Sequence, residues 1–362
     1  MTLRRFSGNP ILTPADVPPS RDDYEVIGVF NAGAVRFGDE ILLLLRVAER
    51  PKQTDPARVR VPWLDTTQRP ARFGELSWDR DDPDLDVSDP RGFRYRGRHY
   101  LTSVSHLRVA RSRDGYRFSV DRKPAMFPAE PYEAYGIEDP RITPMGDEYW
   151  ITYVAVSKWG VVTALARTRD FVAYERMGIL FPPENKNVVL FPGRINGRLF
   201  ALHRPSEGAF GNRVIWSAAS PDGLAWGSHR VALALRPDRW DCRRVGAGAV
   251  PFRTSHGWLE IYHGVDDGDR YHLGLALFDL ERPDVLIGRS PKPVLSPDAP
   301  YEATGFFSGV VFSCGAVVED NGLVRVYYGC ADDSMAVAEA TVDELLDLVE
   351  PVGAGARPAA LP

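Results

Sequence analysis

The sequence predicts an all-β protein, a five-bladed β-propeller with a long loop insertion and a C-terminal helix. Short apolar strands of period two recur along the chain, several end in Asp-Gly turns, and successive units are spaced by roughly 50 residues. At roughly 40 to 65 residues per blade, 362 residues allow five to seven blades, and we favour five. We treat residues 1–362 as a single catalytic domain.

Six strand pairs carry this prediction. Each begins with an apolar or aromatic strand and continues, after a loop, into an alternating strand that closes on a turn. The first is opened by residues 41–46, and the others are 100–106 with 109–115, 149–153 with 164–170, 199–203 with 215–223, 258–264 with 273–279, and 324–329 with 335–338.

Two segments depart from the repeat. Residues 51–98 are rich in Asp, Arg and Pro and weak in periodicity, so we expect a loop insertion over the active-site face. Residues 341–350 are predicted to form a peripheral helix, because Thr341 can cap it and Glu344 stands three positions later.

Composition narrows the function classes. Lys and Arg total 44 against 49 Asp and Glu, so no global basic field indicates a nucleic-acid or membrane partner. No stretch approaches the roughly 20 apolar residues of a membrane span, and the N-terminus lacks a signal peptide's apolar run, so we expect a cytoplasmic protein. The seven histidines lack metal-ligand spacing and no nucleotide-binding loop is evident, so we expect neither a metal nor a cofactor. A homo-oligomer is possible.

The segment 136–141, Gly-Ile-Glu-Asp-Pro-Arg, is the strongest candidate for a reacting centre. In an extended segment Glu138 and Asp139 point to opposite faces, whereas Asp139 and Arg141 share one. Pro140 restricts Asp139 to extended geometry, which suits a rigidly aimed carboxyl group. The alternative is a strand-end turn with a surface salt bridge.

Polar residues at the ends of apolar strands form a second pattern. Each alone usually marks the point where the chain leaves the core. If the blades close, however, all of them converge on one mouth with Asp139. They are Arg46, Ser105, His106, His203, Arg204, Tyr262, His263 and Asp332.

Several motifs together resemble glycoside hydrolase family 130, the β-mannoside phosphorylases and related mannosidases, over nearly the whole chain. The family fold is a five-bladed propeller, which agrees with the strand pattern. The motifs are Asn9-Pro10-Ile11-Leu12, Phe30-Asn31-Ala32-Gly33, residues 136–141, 185–192, 202–205, 257–259, 262–264, 310–315 and 327–332.

The resemblance implies an inverting reaction in which phosphate, as co-substrate, attacks the anomeric carbon of a terminal β-mannosyl unit. The products are α-mannose 1-phosphate and a shortened sugar. Asp139 occupies the family's general-acid position and passes its proton through a hydroxyl of the mannosyl ring. The candidates for binding phosphate are Arg46, Lys186, His203 and Arg204, since guanidinium and ammonium groups suit a phosphate dianion.

The remaining candidates face the sugar. We expect hydroxyl-binding or substrate-facing roles for a set of polar residues, and an aromatic face from Tyr262 or, less strongly, Trp63. The polar set is Asn31, Ser105, His106, Arg141, His263 and Asp332.

Alternatives remain at the level of substrate and reaction. Residues 46–50, the insertion and residues 105–107 favour the branch acting on β-1,2-mannobiose, but a β-1,4-mannoside or mannosyl-glucose substrate stays open. A β-mannosidase using water would need a second carboxylate, for which Glu49 and Glu133 are the candidates. A non-catalytic sugar-binding propeller would not need Asp139.

Overall fold

The structure is a computed structural model that describes residues 3–89, 91–205 and 211–352. It is all-β, with two short α-helices, α1 (Pro300–Ala303) and α2 (Val342–Leu346), and short 3-10 turns at 14–16 and 131–133. The strands up to residue 120 are β1 (Arg4–Arg5), β2 (Tyr24–Phe37), β3 (Glu40–Pro51), β4 (Arg58–Asp65), β5 (Arg72–Asp79), β6 (Leu85–Asp86), β7 (Gly92–Tyr95), β8 (Arg98–Leu101), β9 (Val104–Ser112) and β10 (Ser119–Val120).

The remaining strands continue without a long helix between them. Those of the middle of the chain are β11 (Gly136–Met145), β12 (Glu148–Ser157), β13 (Gly160–Thr168), β14 (Glu175–Phe181), β15 (Asn185–Leu190), β16 (Leu199–Pro205), β17 (Ile215–Ser220) and β18 (Gly227–Leu233). Those of the C-terminal part are β19 (Arg244–Gly246), β20 (Phe252–Arg253), β21 (Trp258–Val265), β22 (Tyr271–Phe278), β23 (Leu286–Arg289), β24 (Val311–Val318), β25 (Leu323–Cys330), β26 (Ser334–Thr341) and β27 (Glu350–Pro351).

These strands form five large antiparallel sheets that follow one another along the chain. Sheet I has the order β10-β9-β3-β2, sheet II β11-β12-β13-β14, and sheet III β15-β16-β17-β18. Sheet IV is β19-β21-β22-β23-β27 with β20 beside β21, and sheet V is β1-β26-β25-β24. Both ends of the described chain therefore join a sheet: β1 pairs with β26, and β27 pairs with β23.

The hydrophobic core is divided into five main clusters, each between two of the large sheets. Sheets I and II, II and III, III and IV, and IV and V are joined in this way, and sheet V packs back against sheet I. Each large sheet is thus covered on both faces. Members that neighbouring sheets contribute to the same cluster are Leu107 and Ile142, Leu165 and Val188, Phe191 and Trp258, Leu275 and Val326, and Tyr327 and Val29.

The second predicted strand pair, 100–106 with 109–115, is wrong. Residues Val104–Ser112 form one continuous strand, β9, which pairs with β3 from Glu49 to Ile41. No turn residue separates His106 from Val109, and the strand is buried on both faces, so its apolar run does not break into a hairpin. The first two predicted units therefore merge into sheet I, and six pairs become five sheets.

The insertion predicted as a loop at 51–98 is also structured. The hairpin β4-β5 and the three-stranded sheet β6-β7-β8, which reaches Leu101, enclose a small core that includes Val59, Val61 and Phe93. Ion pairs such as Arg60 with Glu75, 2.5 Å apart, occupy the other face. These strands are covered on one side only, and the many charged residues on the other side obscured the alternation of apolar and polar residues in the sequence.

The C-terminal helix is capped as expected but is shorter. Thr341 Oγ1 accepts from the Glu344 amide at 3.2 Å, and the Glu344 carboxylate accepts from the Thr341 amide at 2.7 Å. The helix ends at Leu346 rather than 350, because Glu350 begins β27. Leu345 anchors it to the core between sheets IV and V. In the described part of the chain, no helix combines the length and the apolar character needed to cross a membrane.

Candidate active site

Matching bulges occur in the first strands of sheets I, II and III. The strand registers shift between Phe30 and Gly33, between Glu138 and Arg141, and between Lys186 and Val189. Each bulge holds one residue in the left-handed region, namely Asn31 (φ 51°), Asp139 (φ 48°) and Asn187 (φ 56°). Asn and Asp are the side-chain-bearing residues that enter this region most readily, and a bulge re-aims the side chain that it carries.

The bulge in sheet II brings Glu138 and Asp139 to the same guanidinium. Arg46 Nη2 donates to Glu138 Oε1 at 2.8 Å and Nη1 donates to Asp139 Oδ1 at 3.1 Å. The expectation that these carboxylates face opposite ways was wrong, because Asp139 is left-handed rather than extended. Arg46 also lies within β3 rather than at its end, with its guanidinium over the Phe30 ring.

Asp139 is held from several sides and is only 8% exposed. Asn31 Nδ2 donates to its Oδ1 at 3.0 Å, and Arg46 Nε donates to Ser105 Oγ at 3.1 Å. Burial raises the pKa of Asp139, but Arg46 and then Arg141 outweigh burial and hold the pKa below its usual value. Burial raises the pKa of Glu138, and the neighbouring Asp139 charge raises it further.

Asp332 is the third carboxylate of this group. It follows β25 in the left-handed region, with φ 52°, and its side chain makes no hydrogen bond or ion pair with a described residue. Burial, together with Asp139 and Glu138, raises the pKa of Asp332 to about 6 although Arg46 opposes the shift. Glu138, Asp139 and Asp332 around Arg46 are called the carboxylate cluster.

Lys186 and Arg204 form a second group on neighbouring strands, where they are paired across β15 and β16. Arg204 Nη1 donates to His263 Nε2 at 3.2 Å. The hydrogen-bonding groups around Asn187 favour the amide orientation in which its oxygen faces Arg204, and in that orientation the oxygen accepts from both terminal nitrogens of Arg204 at 3.1 and 3.3 Å. Lys186 makes no hydrogen bond or ion pair with the residues that the structure describes. We call Lys186 and Arg204 the cation pair.

The positive charge of the cation pair is not compensated by a carboxylate of the described residues. Burial, with smaller contributions from nearby arginines such as Arg244, lowers the pKa of Arg204 to about 10, although Tyr271 opposes the shift. The pKa of Lys186 is lowered by burial and by Arg204, while Glu138 and Asp139 oppose this. Within the described ranges, no carboxylate lies at ion-pair distance from Lys186 or Arg204. A bound anion would supply the missing charge.

His263 belongs to this second group as a neutral partner. It is fully buried, and burial, reinforced by Arg204, holds its pKa well below the usual value for histidine. A neutral Nε2 can accept from Arg204, so the imidazole orients the guanidinium without adding positive charge.

Arg141 lies beneath the carboxylate cluster rather than facing a ligand. It is 1% exposed and donates to three backbone carbonyls: Asp139 at 2.8 Å, Gly248 at 3.2 Å and Ala247 at 3.3 Å. The expected substrate contact of Arg141 is therefore replaced by a hold on the backbone that carries Asp139.

Three other candidates lie away from both groups. His203 contacts Asn185 and His229 at 3.0 Å each, and burial lowers its pKa to about 3, so it is not a phosphate-binding cation. Tyr262 is fully buried and donates to Asp241 at 2.7 Å, which leaves no face for a sugar. Both are on the strand face opposite their neighbours Arg204 and His263.

His106 is the third candidate that lies away from both groups. Its Nε2 lies 2.6 Å from Glu49 Oε1, and both side chains are completely buried. The structure therefore places it in a core network with Arg108 rather than beside a sugar hydroxyl.

The two carboxylates expected of a hydrolase are occupied elsewhere. Glu49 accepts from Ser20 and from Arg108 besides His106. Glu133 accepts from the Ala129 amide, the Tyr153 hydroxyl and Arg176, and it is fully buried. Neither can reach an attacking water.

Trp63 is 40% exposed on β4 and lines a groove of about 1180 Å³ with Trp159 and Tyr135. Its lining includes Ser103 and Val104, which directly precede Ser105 in the chain. The residues that the sequence did not single out are Glu138 as a cluster member, Asn187, Arg213, Arg244 and Tyr271. Asn187 could have been found, because it interrupts an apolar strand as Asn31 and Asp139 do.

Within residues 3–89, 91–205 and 211–352, no three His, Cys, Asp or Glu side chains are arranged to hold a metal ion.

Comparison with known proteins gives concordant matches. The profile of glycoside hydrolase family 130, described as β-1,4-mannooligosaccharide phosphorylase, matches residues 45–351. A β-1,2-mannobiose phosphorylase from Listeria innocua is 45% identical over 97% of this chain and 99% of its own, and one from Thermoanaerobacter is 30% identical over 93% and 96%. The solved Listeria enzyme in complex with β-1,2-mannobiose superposes with a TM-score of 0.89 at 44% identity, covering 96% of this chain and 99% of its own.

Proposed function

Since the chain belongs to glycoside hydrolase family 130, we propose that it is an inverting phosphorylase that cleaves β-1,2-mannobiose with inorganic phosphate. The products are α-mannose 1-phosphate and mannose. The observation that carries this proposal is the cation pair, in which Arg204 is buried and Lys186 is partly buried. Neither has a carboxylate partner in the described structure, and both lie near the carboxylate cluster.

The chemistry divides between the two groups. Phosphate held by Lys186 and Arg204 attacks the anomeric carbon, the bond from that carbon to the glycosidic oxygen breaks, and Asp139 supplies the leaving oxygen's proton through a hydroxyl of the mannosyl ring. In the free protein Arg46 and then Arg141 keep the pKa of Asp139 low. A phosphate dianion bound at the neighbouring cation pair adds negative charge near Asp139 and raises that pKa, so the proton is held when both substrates are bound.

Asp332, Asn31 and Ser105 are the proposed contacts for sugar hydroxyls. The carboxyl group of Asp332 has no hydrogen-bonding partner among the described residues. It lies close enough to Asp139 for the charge of Asp139 to raise its pKa. Arg46 keeps the carboxylates in place and is the phosphate candidate most committed to other contacts.

A hydrolase has weaker support. Inverting hydrolysis needs two carboxyl groups about 6.5 to 9.5 Å apart with water between them. Glu49 and Glu133 are occupied, and Glu138 binds the same guanidinium as Asp139, so its carboxylate is held by Arg46 rather than free to activate a water.

We also propose that the five large sheets are the blades of a propeller. The support is the set of five core clusters, which joins each sheet to the next and sheet V to sheet I, together with the pairing of N-terminal β1 in sheet V. In such a ring the bulged first strands of sheets I to III meet near the axis.

The β-1,2 linkage rests on the two relatives that align over more than nine-tenths of the chain, since both are named for β-1,2-mannobiose. The family description names β-1,4-mannooligosaccharides, so the β-1,4 linkage is the competing outcome. We place the enzyme in the cytoplasm, where a sugar phosphate is retained and metabolised.

The test is product analysis from β-1,2-mannobiose and β-1,4-mannobiose, each with and without inorganic phosphate. We expect phosphate-dependent release of mannose 1-phosphate from the β-1,2 substrate, with the α configuration of the product identified by NMR, and release slowed at least about 100-fold by Asp139→Asn. Equal release of free mannose without phosphate would replace the proposal with a mannosidase. Preference for the β-1,4 substrate would overturn the linkage alone.

A further inference from the structure

Glu260 is a buried carboxyl group that the proposed chemistry does not use. It lies on β21, is fully buried and has no ion-pair partner within the described chain. Its Oε1 accepts from the Gly248 amide at 2.8 Å, and its Oε2 has no partner. Burial raises the pKa of Glu260 well above the usual value although Arg141 opposes the shift, which favours the neutral acid. The geometry gives its Oε1 the role of a hydrogen-bond acceptor.

The peptide group that Glu260 holds also binds Arg141. The Gly248 N–H and the Ala247 carbonyl belong to one peptide group, and Arg141 Nη2 donates to that carbonyl at 3.3 Å. Arg141 Nε donates to the next carbonyl, that of Gly248, at 3.2 Å. Glu260 therefore fixes one side of a peptide group whose other side orients the guanidinium.

Arg141 in turn fixes the general acid. Its Nη1 donates to the Asp139 carbonyl at 2.8 Å, at the residue whose φ of 48° directs the carboxyl group toward Arg46. A left-handed non-glycine residue persists only when its surroundings hold it. No carboxylate in the described structure pairs with Arg141, so its position depends on these carbonyls.

Packing leaves the peptide group little freedom to move. A Cβ on Gly248 would lie 2.2 Å from the Ile261 carbonyl oxygen and 3.0 Å from that of Ser313. The hydrogen bond from Gly248 to Glu260 then determines how the peptide group is rotated between these two strands.

We propose that Glu260 is a positioning residue for Asp139, acting through the Ala247–Gly248 peptide group and Arg141. The proposal rests on Asp139 being the general acid. Its chemistry requires an acceptor oxygen at that point and not a charge.

Three substitutions of Glu260 distinguish a requirement for an acceptor oxygen from a requirement for a charge. Glu260→Gln keeps an acceptor oxygen of the same shape, Glu260→Met removes it at similar volume, and Glu260→Asp withdraws it from Gly248 by one methylene. Leu345→Ala is the control, since it removes buried contacts at the outer helix α2, remote from Asp139.

The expected result is a ranked loss of kcat. Glu260→Gln should remain within about twofold of the wild type, and Glu260→Met should lose roughly 10- to 100-fold in kcat, as expected when a reacting group is displaced by about 1 Å. KM for phosphate should change little. In Glu260→Met the limb of the pH profile that reports Asp139 should move to higher pH, because a loosened Arg141 no longer lowers that pKa as strongly.

The control variant should lower Tm without altering kcat or the pH profile. A folded Glu260→Met with wild-type kcat and profile would overturn the proposal, and so would a Glu260→Gln as impaired as Glu260→Met. If Glu260→Met does not fold, Glu260→Asp decides, with an intermediate loss and the same profile shift expected. Failure of the proposed function is distinguishable, because it would appear as phosphate-independent turnover by the wild type.

Discussion

The carboxylate cluster and the cation pair lie side by side but differ in how their charges are compensated. Arg46 sits among Glu138, Asp139 and Asp332 and bonds two of them directly. Arg204 instead has neutral partners, His263 and Asn187, and Lys186 has no hydrogen-bonding partner among the described residues. The carboxylate cluster contains a cation of its own, Arg46, whereas the cation pair contains no anion and is arranged for one that the protein does not supply.

The difference in charge compensation indicates which group of residues binds each substrate. A buried cation without a counter-charge destabilises the fold, and an anionic ligand removes that cost on binding. The carboxylate cluster already contains a cation, and its remaining acceptor oxygens suit neutral hydroxyl groups. Substitutions in the two groups should therefore have different effects.

The largest effect is expected from Asp139→Asn. The amide keeps the shape and the hydrogen bond from Arg46 but cannot deliver a proton, so kcat should fall by about 10²- to 10⁴-fold, the usual contribution of a general acid. Initial rates of α-mannose 1-phosphate release measure this, with circular dichroism to verify the fold. A variant that kept most of its activity would remove Asp139 from the reaction.

Next in size is Arg204→Met. Loss of charge-assisted hydrogen bonds worth about 1.5 to 3 kcal/mol each should raise KM for phosphate by roughly 10- to 100-fold while KM for the mannoside changes little. His203→Gln is the matched control one residue away, because His203 is neutral and faces the other side of the strand. Equal effects in both variants would argue against the cation pair.

A stability comparison sharpens the same contrast without substrates. Without phosphate, Arg46→Met should lower Tm, because it leaves Glu138 and Asp139 close together and uncompensated, whereas Arg204→Met should leave Tm unchanged or raise it. Differential scanning calorimetry in a phosphate-free buffer measures both. Equal destabilisation by the two substitutions would contradict the difference in compensation.

The smallest effect is a pH dependence carried by Asp332. Its pKa of about 6 means that the carboxyl group is neutral below pH 6 and charged above it. A carboxylate accepts stronger hydrogen bonds from sugar hydroxyls than a neutral acid, so KM for the mannoside should fall a few-fold as pH rises through 6. Asp332→Asn should lose this dependence, as measured from KM across that range.

The sequence predicted the all-β class, and the structure contains Asp139, Arg46, Lys186 and Arg204 in two adjoining groups. The prediction from sequence failed where the face of the sheet that a side chain occupies depends on its exact position along a strand. His203 and Tyr262 are next to site residues in sequence but face the opposite way, and the Asp139 bulge turned Glu138 toward Arg46. A bulge adds one residue and reverses the parity that follows it, which simple alternation cannot anticipate.

The insertion shows a second limit. The strands β4 to β8 bury only a small core, so charged residues dominate their composition and conceal the alternation. The roles of the site residues stay predictions.

The most direct test of the account is calorimetric titration of inorganic phosphate into the wild type and Arg204→Met. The account predicts one phosphate bound per wild-type chain, with binding lost or weakened at least about tenfold in the variant. Equal binding by both proteins, or no binding by the wild type, would contradict the assignment of the cation pair to phosphate.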